Sequence, residues 1–383
     1  MPFAAALSEH PVAAVATGEV AGELLDRLGP VPDLVVAFVT GHHREVFGDV
    51  VAALRTALAP TRLLAATAVS VLAGEREVEE HPAISVWGAR FSSGAAVAPL
   101  RLDALRTADG VVVLGLDPTA LVGAAAVLLV ADPASFPTDE LVAALRREAP
   151  GVPVVGGVAS AGVGPGANLL ALDGQVHDDG AVGVVLPAGA AVVDLIVSQG
   201  CRPVGSPLTV TRSEANVVAE IAGVPATERL REALAGLDGP ELELARRGLH
   251  VGRVVDEHRI DLERGDFLVR NLVGIDAARG SIAVNDLVEV GSTVQFQVRD
   301  AAAADEDLRE LLDGHVADAA LVFTCNGRGS RFFGAPDHDA ELVTSLTGSR
   351  ATAGMFCAGE IGPVGGRPFL HGFTASIALF RDG

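Results

Sequence analysis

Ala320-Leu-Val-Phe-Thr-Cys-Asn-Gly-Arg-Gly329 is a short apolar run that stops on a polar, glycine-rich turn. A run of this kind, followed by a segment of helical period, reads as a buried strand leading into a helix. The helix falls at His338–Leu346, and Ala353-Gly-Met-Phe356 opens a second apolar run. A Gly/Pro loop then leads to Phe373-Thr-Ala-Ser-Ile-Ala-Leu-Phe380, a third strand. The segment 319–380 therefore reads as β-α-β-loop-β.

The same pattern occurs twice upstream. Leu34-Val-Val-Ala-Phe-Val39, a helix over Glu45–Leu58, Leu63–Thr67, an acidic loop around Gly74 and Ala83-Ile-Ser-Val-Trp87 make the first copy. Val127-Leu-Leu-Val130, a helix over Pro137–Arg147 with Ser135 or Thr138 as candidate caps, Val152–Val155, a long loop opened by Gly156-Gly157 and Ala181–Leu186 make the second. From Leu34 to Leu64, Val127 to Val154 and Ala320 to Ala353 the spacings are 30, 27 and 33 residues. A helical crossover makes the first two strands of each copy parallel. The third strand is expected to return antiparallel beside the second.

Between the second and third copies the pattern changes. Gln199–Pro207 reads as a turn-rich hinge, Ser206–Thr211 as a strand, and Arg212–Ala222 and Thr227–Leu237 as helices. Phe267–Val273, Ser281–Val284 and Thr293–Val298 read as antiparallel strands, and Ala301–Leu312 as an acidic amphipathic helix. The expected fold class is α/β with mixed sheets, built from β-α-β-β modules. Its sheets pack face to face with helices on the outer faces, in two domains covering 1–222 and 223–383.

Composition narrows the chemistry. The 383 residues carry 28 Lys+Arg against 49 Asp+Glu, a net charge of −21, and every one of the 28 cations is an arginine. Without lysine there is no Schiff-base or pyridoxal phosphate chemistry, no complete phosphate-binding P-loop and no protein-kinase active site. The negative charge argues against nucleic-acid binding. No apolar run is long enough to span a membrane. The N-terminal residues lack a basic region, and Cys201, Cys325 and Cys357 are too few for a disulfide framework. A cytoplasmic location is expected.

In parallel α/β units, ligands bind at the carboxyl ends of strands. The third copy is the richest there, with Cys325-Asn-Gly-Arg-Gly329 after its first strand and Cys357-Ala-Gly-Glu-Ile-Gly-Pro363 after its second. His371 begins the strand that returns. Topology thus gathers Cys325, Asn326, Gly327, Arg328, Gly329, Gly359, Glu360 and His371 as candidate ligand-binding residues. Arg202 is a further candidate from the other domain. Arg328 suits a bidentate carboxylate clamp and Glu360 an amine, a pattern for a small zwitterion. The competing structural reading pairs Arg328 with Glu360. Cysteine catalysis is the enzymatic alternative, with Cys325 as nucleophile, His371 as base and Glu360 orienting. Neither C-x-x-C nor H-E-x-x-H spacing is present, so no metal site is expected. Gly156-Gly157-Val-Ala-Ser-Ala-Gly162 is not a dinucleotide fingerprint, and no cofactor is expected. His42-His43 occupies the position in the first copy that matches Cys325, and reads as a helix-entry loop.

At these motifs the chain resembles the FIST family. Cys325–Gly329, Met355–Pro363 and Phe369–Phe380 carry the C-terminal likeness, and Val155–Ser160 with Gln199–Gly205 the N-terminal one. The resemblance implies a bacterial sensory or signal-transduction protein that binds a small molecule, an amino acid or its derivative. It also implies a protein signalling partner, because no kinase, methyl-accepting, cyclase or F-box segment is present in the chain. A protein-interaction scaffold is a further alternative. Ala66-Thr-Ala-Val-Ser70 departs from the Gly-Cys pair that family members tend to carry there.

Overall fold

The computed structural model describes residues 2–382 apart from 93, 95 and 109. The apolar runs become strands. The first repeat comprises β1 (Phe3–Ser8), α1 (Ala13–Leu28), β2 (Leu34–Thr40), α2 (Phe47–Leu58), β3 (Arg62–Ala68), β4 (Ser70–Ala73), β5 (Arg76–Glu79) and β6 (Ile84–Ala89). The second comprises β7 (Ala98–Thr107), β8 (Gly110–Leu114), α3 (Pro118–Leu121), β9 (Ala126–Ala131), α4 (Thr138–Glu148), β10 (Val154–Val158), β11 (Leu170–Leu172), β12 (Gln175–His177) and β13 (Ala181–Leu186). Strand β14 (Val192–Gln199) begins the third.

An inserted segment follows, with β15 (Cys201–Glu214), β16 (Val217–Ile221), β17 (Val224–Pro225), α5 (Ala226–Ala235), α6 (Gly239–Arg247), β18 (Leu249–Val254), β19 (Phe267–Asp276), β20 (Ser281–Val284) and β21 (Thr293–Arg299). The third repeat then resumes with α7 (Ala301–Leu312), β22 (Ala319–Cys325), α8 (Ser330–Phe333), α9 (His338–Thr347), β23 (Thr352–Cys357), β24 (Glu360–Val364), β25 (Arg367–His371) and β26 (Thr374–Arg381). Neither Ser135 nor Thr138 caps α4. Instead, Asp132 accepts hydrogen bonds from the Ala134 and Ser135 amides and the Ser135 hydroxyl.

The first two strands of each repeat are parallel neighbours: β2 with β3, β9 with β10, and β22 with β23. The third strand lies antiparallel beside the first, not beside the second as expected: β6 on β2, β13 on β9 and β26 on β22. The reason is that the far edge of each second strand is already occupied. What reads as a loop between the second and third strands is in every repeat a hairpin, and each hairpin crosses to another repeat's sheet. Hairpin β4–β5 pairs with β23, β24–β25 with β10, and β11–β12 with β3. The exchange closes a ring of three repeats and covers three edges that would otherwise expose unpaired backbone. Gly156 and Gly157 therefore sit inside β10 rather than opening a loop. A Cβ on Gly156 would meet the Leu129 carbonyl, and one on Gly157 would meet the Cys357 thiol.

The three resulting sheets bury their inner faces in one core. Phe3, Phe38 and Trp87 come from the first sheet, Leu128, Val130 and Val184 from the second, and Phe323, Met355 and Phe380 from the third. Trp87 and Phe380 have ring centroids 5.0 Å apart, and Phe38 meets Phe323 edge-on at 5.9 Å. The Trp87 indole N–H donates to the Ala351 carbonyl at 3.0 Å, so the one polar atom of this buried ring is satisfied. Helices cover the outer faces: α1 and α2 on the first sheet, α4 on the second, and α9 with the C-terminal end of α7 on the third. The mixed α/β arrangement of packed sheets with helices on the outer faces is as expected, and in the first unit it is built from three sheets.

The chain forms two compact units that do not follow a cut at 222. The first is Met1–Val197, Leu308–Leu370 and Thr374–Gly383, and holds the three repeats. The second is Ser198–Asp307 with His371–Phe373. In the second unit β15 pairs with β21 along its first part and with β16 along its last, closing a seven-stranded sheet on itself. Gln199–Pro207 is thus mostly strand, not hinge. Arg212–Ala222 is the turn and return strand of a hairpin, not a helix. Val218 and Ile221 there face the core at a spacing that also suits one helical turn.

Candidate functional site

Strands β22 and β23 run parallel, with Cys325 and Cys357 in register at their ends. Beyond Cys325 the chain turns through Asn326-Gly327 into α8. This turn carries Arg328 inward, where the side chain is wholly buried. Its fork is filled by Asp339 in the first turn of α9: Nε lies 2.9 Å from Oδ2 and Nη2 2.9 Å from Oδ1. The Thr324 hydroxyl donates to Asp339 Oδ2 at 2.6 Å, and His338 Nδ1 lies 3.0 Å from Oδ1. The His338 ring stacks on Phe333, and the Arg328 guanidinium lies 5.2 Å from the Phe333 ring centroid. Burial alone would raise the Asp339 carboxyl. The Arg328 cation and the hydrogen bonds from His338 and Arg328 outweigh it and hold the group well below the usual carboxylate range.

Three further carboxyls surround this pair. Glu360, wholly buried, accepts from the Thr374 amide at 3.1 Å and its hydroxyl at 2.9 Å. Burial pushes it up to about 8, against the opposing pull of Thr374 and Arg328. Glu77 arrives on the hairpin from the first repeat and accepts from the Ala340 amide at 3.0 Å. Burial, then the Asp339 charge, push it up to about 8. Glu79 of the same hairpin accepts from the Ser330 amide at 2.7 Å and its hydroxyl at 3.1 Å. At neutral pH the four buried groups at the centre of the cluster, Arg328, Asp339, Glu360 and Glu77, amount to one cation, one anion and two carboxyls whose raised values favour the protonated form. That balance is what permits their burial. Burial and the nearby Glu360 raise the Cys357 thiol well above its ordinary value.

Of the residues singled out in the sequence, Cys325, Arg328, Gly329, Gly359 and Glu360 are buried in the first unit, while Asn326 is exposed on the turn. A side chain at Gly329 would collide with Glu79, and the Gly359 carbonyl accepts from the Val158 amide. His371 groups with the second unit. Arg202 lies in the second unit too, bound to Asp300 at 3.0 Å and Glu241 at 2.9 Å. Glu360 is bonded to Thr374 rather than paired with Arg328, whose carboxylate partner is Asp339. Sequence reading missed Asp339, Glu77 and Glu79. For Asp339 a signal existed: an acid in the first turn of a helix that starts beside Arg328's strand end. For the two glutamates there was none, because they reach the site only through the exchanged hairpin.

Ser160 ties the repeats together near these strand ends, accepting from the Val69 amide at 3.0 Å and donating to the Phe356 carbonyl at 2.5 Å. Among the described residues, no group of three or more His, Cys, Asp and Glu side chains is placed to hold a metal ion. No helix among them is long and apolar enough to cross a membrane.

Fold and site together define a mixed α/β protein of repeated β-α-β-hairpin-β design with a buried, charge-balanced polar centre. The chain belongs to the FIST family: the FIST N domain model matches residues 33–224 and the FIST C domain model residues 226–363. FIST domains are sensory, signal-transduction domains. The chain is 43% identical over 391 residues to the uncharacterized protein Rv0628c of Mycobacterium tuberculosis strain H37Rv, covering 100% of both chains. It is 44% identical over 382 residues to the uncharacterized protein Mb0898c of Mycobacterium bovis, covering 97% of each.

Proposed function

We propose that this chain is a sensor of an amino acid or related small carboxylate, read out at the Cys325–Gly329 and Gly359–Glu360 cluster of the first unit. The observation that carries this reading is the buried Arg328–Asp339 fork flanked by the buried carboxyls of Glu360 and Glu77. A ligand carboxylate is held by taking Asp339's place on the guanidinium, a like-for-like exchange of bidentate partners. The ligand's ammonium meets Glu360 and Glu77, which give up their protons as a cation approaches. Release of Asp339 loosens the first turn of α9, and that displacement is the signal passed to a partner protein. Cys325, buried at the strand end, lines the cluster rather than serving as an open nucleophile.

The test uses the single tryptophan, Trp87, as a thermal-unfolding probe with a panel of amino acids and small carboxylates. A ligand at 100 times its Kd adds about 2.7 kcal/mol of stability. Asp339→Asn removes the internal competitor, so it is expected to bind the same ligand more tightly than the wild type. A panel that shifts neither protein, or a ligand bound less tightly by the variant, overturns the reading.

A further inference from the structure

A cavity of about 620 Å³ lies in the first unit, between the N-terminal half of α1 and the segment that runs from Gly41 into α2. None of its lining residues belongs to the cluster described above, and it contains the His42-His43 pair. Its body is apolar, walled by Val12, Ala21, Val46, Val50 and Ala53. Gly18 forms part of it, and a Cβ there would meet nothing within 4 Å.

One end is polar and incompletely satisfied. His43 is 4% exposed, and its ring is anchored through a hydrogen bond to the His10 backbone. Its Nε2 is buried and has no hydrogen-bond partner among the described residues. A ring that donates its other N–H to a carbonyl presents a lone pair at Nε2, so that atom needs a donor. The N-terminus of α1 stands next to His10. Val12 supplies no side-chain cap, and no acidic residue lies in the first turn. The Val15 and Ala16 amides bond to the Val12 carbonyl, which leaves the half-buried Ala13 amide and the exposed Ala14 amide as first-turn donors with no acceptor inside the helix.

A hydroxyl is both donor and acceptor and meets both demands at once. A carboxylate offers no proton to His43 and faces Glu45 and Asp49, which line the cavity with no arginine among them. An ammonium gives nothing to the helix amides and opposes the positive end of the helix. We infer that this cavity is a second small-molecule site, selective for an uncharged hydroxyl compound with an apolar body, bound through His43 and the start of α1.

The test compares three probes with one body, 2-naphthylmethanol, 2-naphthoate and 2-naphthylmethylamine, by NMR titration of the full chain. The alcohol is expected to bind at least tenfold more tightly than either charged analogue. Gly18→Leu fills the cavity and replaces a helical glycine with a better helix former, so it is expected to abolish binding without loss of fold. His43→Asn keeps a donor toward His10 but removes Nε2, and is expected to weaken alcohol binding about tenfold. Preference for the carboxylate or the amine, or alcohol binding unchanged in Gly18→Leu, overturns the inference. So does the absence of saturable alcohol binding to the wild type.

Discussion

Replacing Glu360 by glutamine tests the electrostatics of the buried centre. Glu360 is held at about 8 in the folded chain, against 4.5 for an ordinary glutamate. Between those values the folded state keeps a proton that the unfolded state has lost. Stability therefore falls as pH rises, by about 1.4 kcal/mol per pH unit for each such group. The contribution is full below the unfolded value and is lost as pH passes through the folded one. From pH 5.5 to 7.5, Glu360 accounts for a loss of about 2–3 kcal/mol, and Glu77, also held at about 8, for a similar loss. Glutamine is neutral at every pH and its carbonyl can still accept from Thr374. Glu360→Gln should thus lose about half as much stability as the wild type over this range. Urea unfolding at pH 5.5, 6.5 and 7.5, followed by Trp87 fluorescence, measures the difference within the first unit. Parallel profiles for the two proteins would show that Glu360 is already ionised when folded, and the charge balance assigned to the cluster would be wrong.

Two substitutions probe the scaffold. Trp87→Ala removes the largest ring of the shared core and its bond to Ala351, and is expected to cost about 3–5 kcal/mol in chemical unfolding followed by circular dichroism; a loss under 1 kcal/mol would mean the sheets do not depend on this contact. Gly156→Ala drives a methyl group into the Leu129 carbonyl of the neighbouring parallel strand. Because backbone must move, it is expected to cost at least about 1–3 kcal/mol, and an unchanged urea midpoint would refute the packing at that position.

The repeats were legible because their strands are fully buried. Leu34–Thr40 and Ala126–Ala131 are buried at every position, so they stand out as uninterrupted apolar runs. The exchanged hairpins were not legible, for the opposite reason. Leu170–Leu172 has three residues and Ser70–Ala73 four, and their partners lie in other repeats. Nothing local distinguishes such a strand from a loop. The placement of the third strand beside the first follows from the same exchange, so both features were lost together. At the site, the strand-end rule found Arg328 and Glu360, because it depends only on topology. It misjudged what Arg328 holds. The carboxylate that fills its fork is eleven residues on, past an intervening helical turn, and no spacing rule links a loop arginine to that position.

The hairpin exchange changes what the cluster can report. Glu77 and Glu79 belong by sequence to the first repeat, yet they receive the amides of Ala340 and Ser330 at the helices of the third. The same hairpin is hydrogen-bonded to β23 through Val71, Leu72 and Ala73. Asp337, just before α9, in turn accepts from the Glu77 amide at 2.7 Å. The Arg328–Asp339 fork is therefore not a private contact of one repeat. Its anion sits on a helix whose first turn is bonded on both sides to another repeat's hairpin. Coupling between distant parts of a protein requires an element with contacts in both that changes as a unit. Hairpin β4–β5 has those contacts, and so offers a physical route by which the proposed change of partner at Arg328 would reach the first repeat.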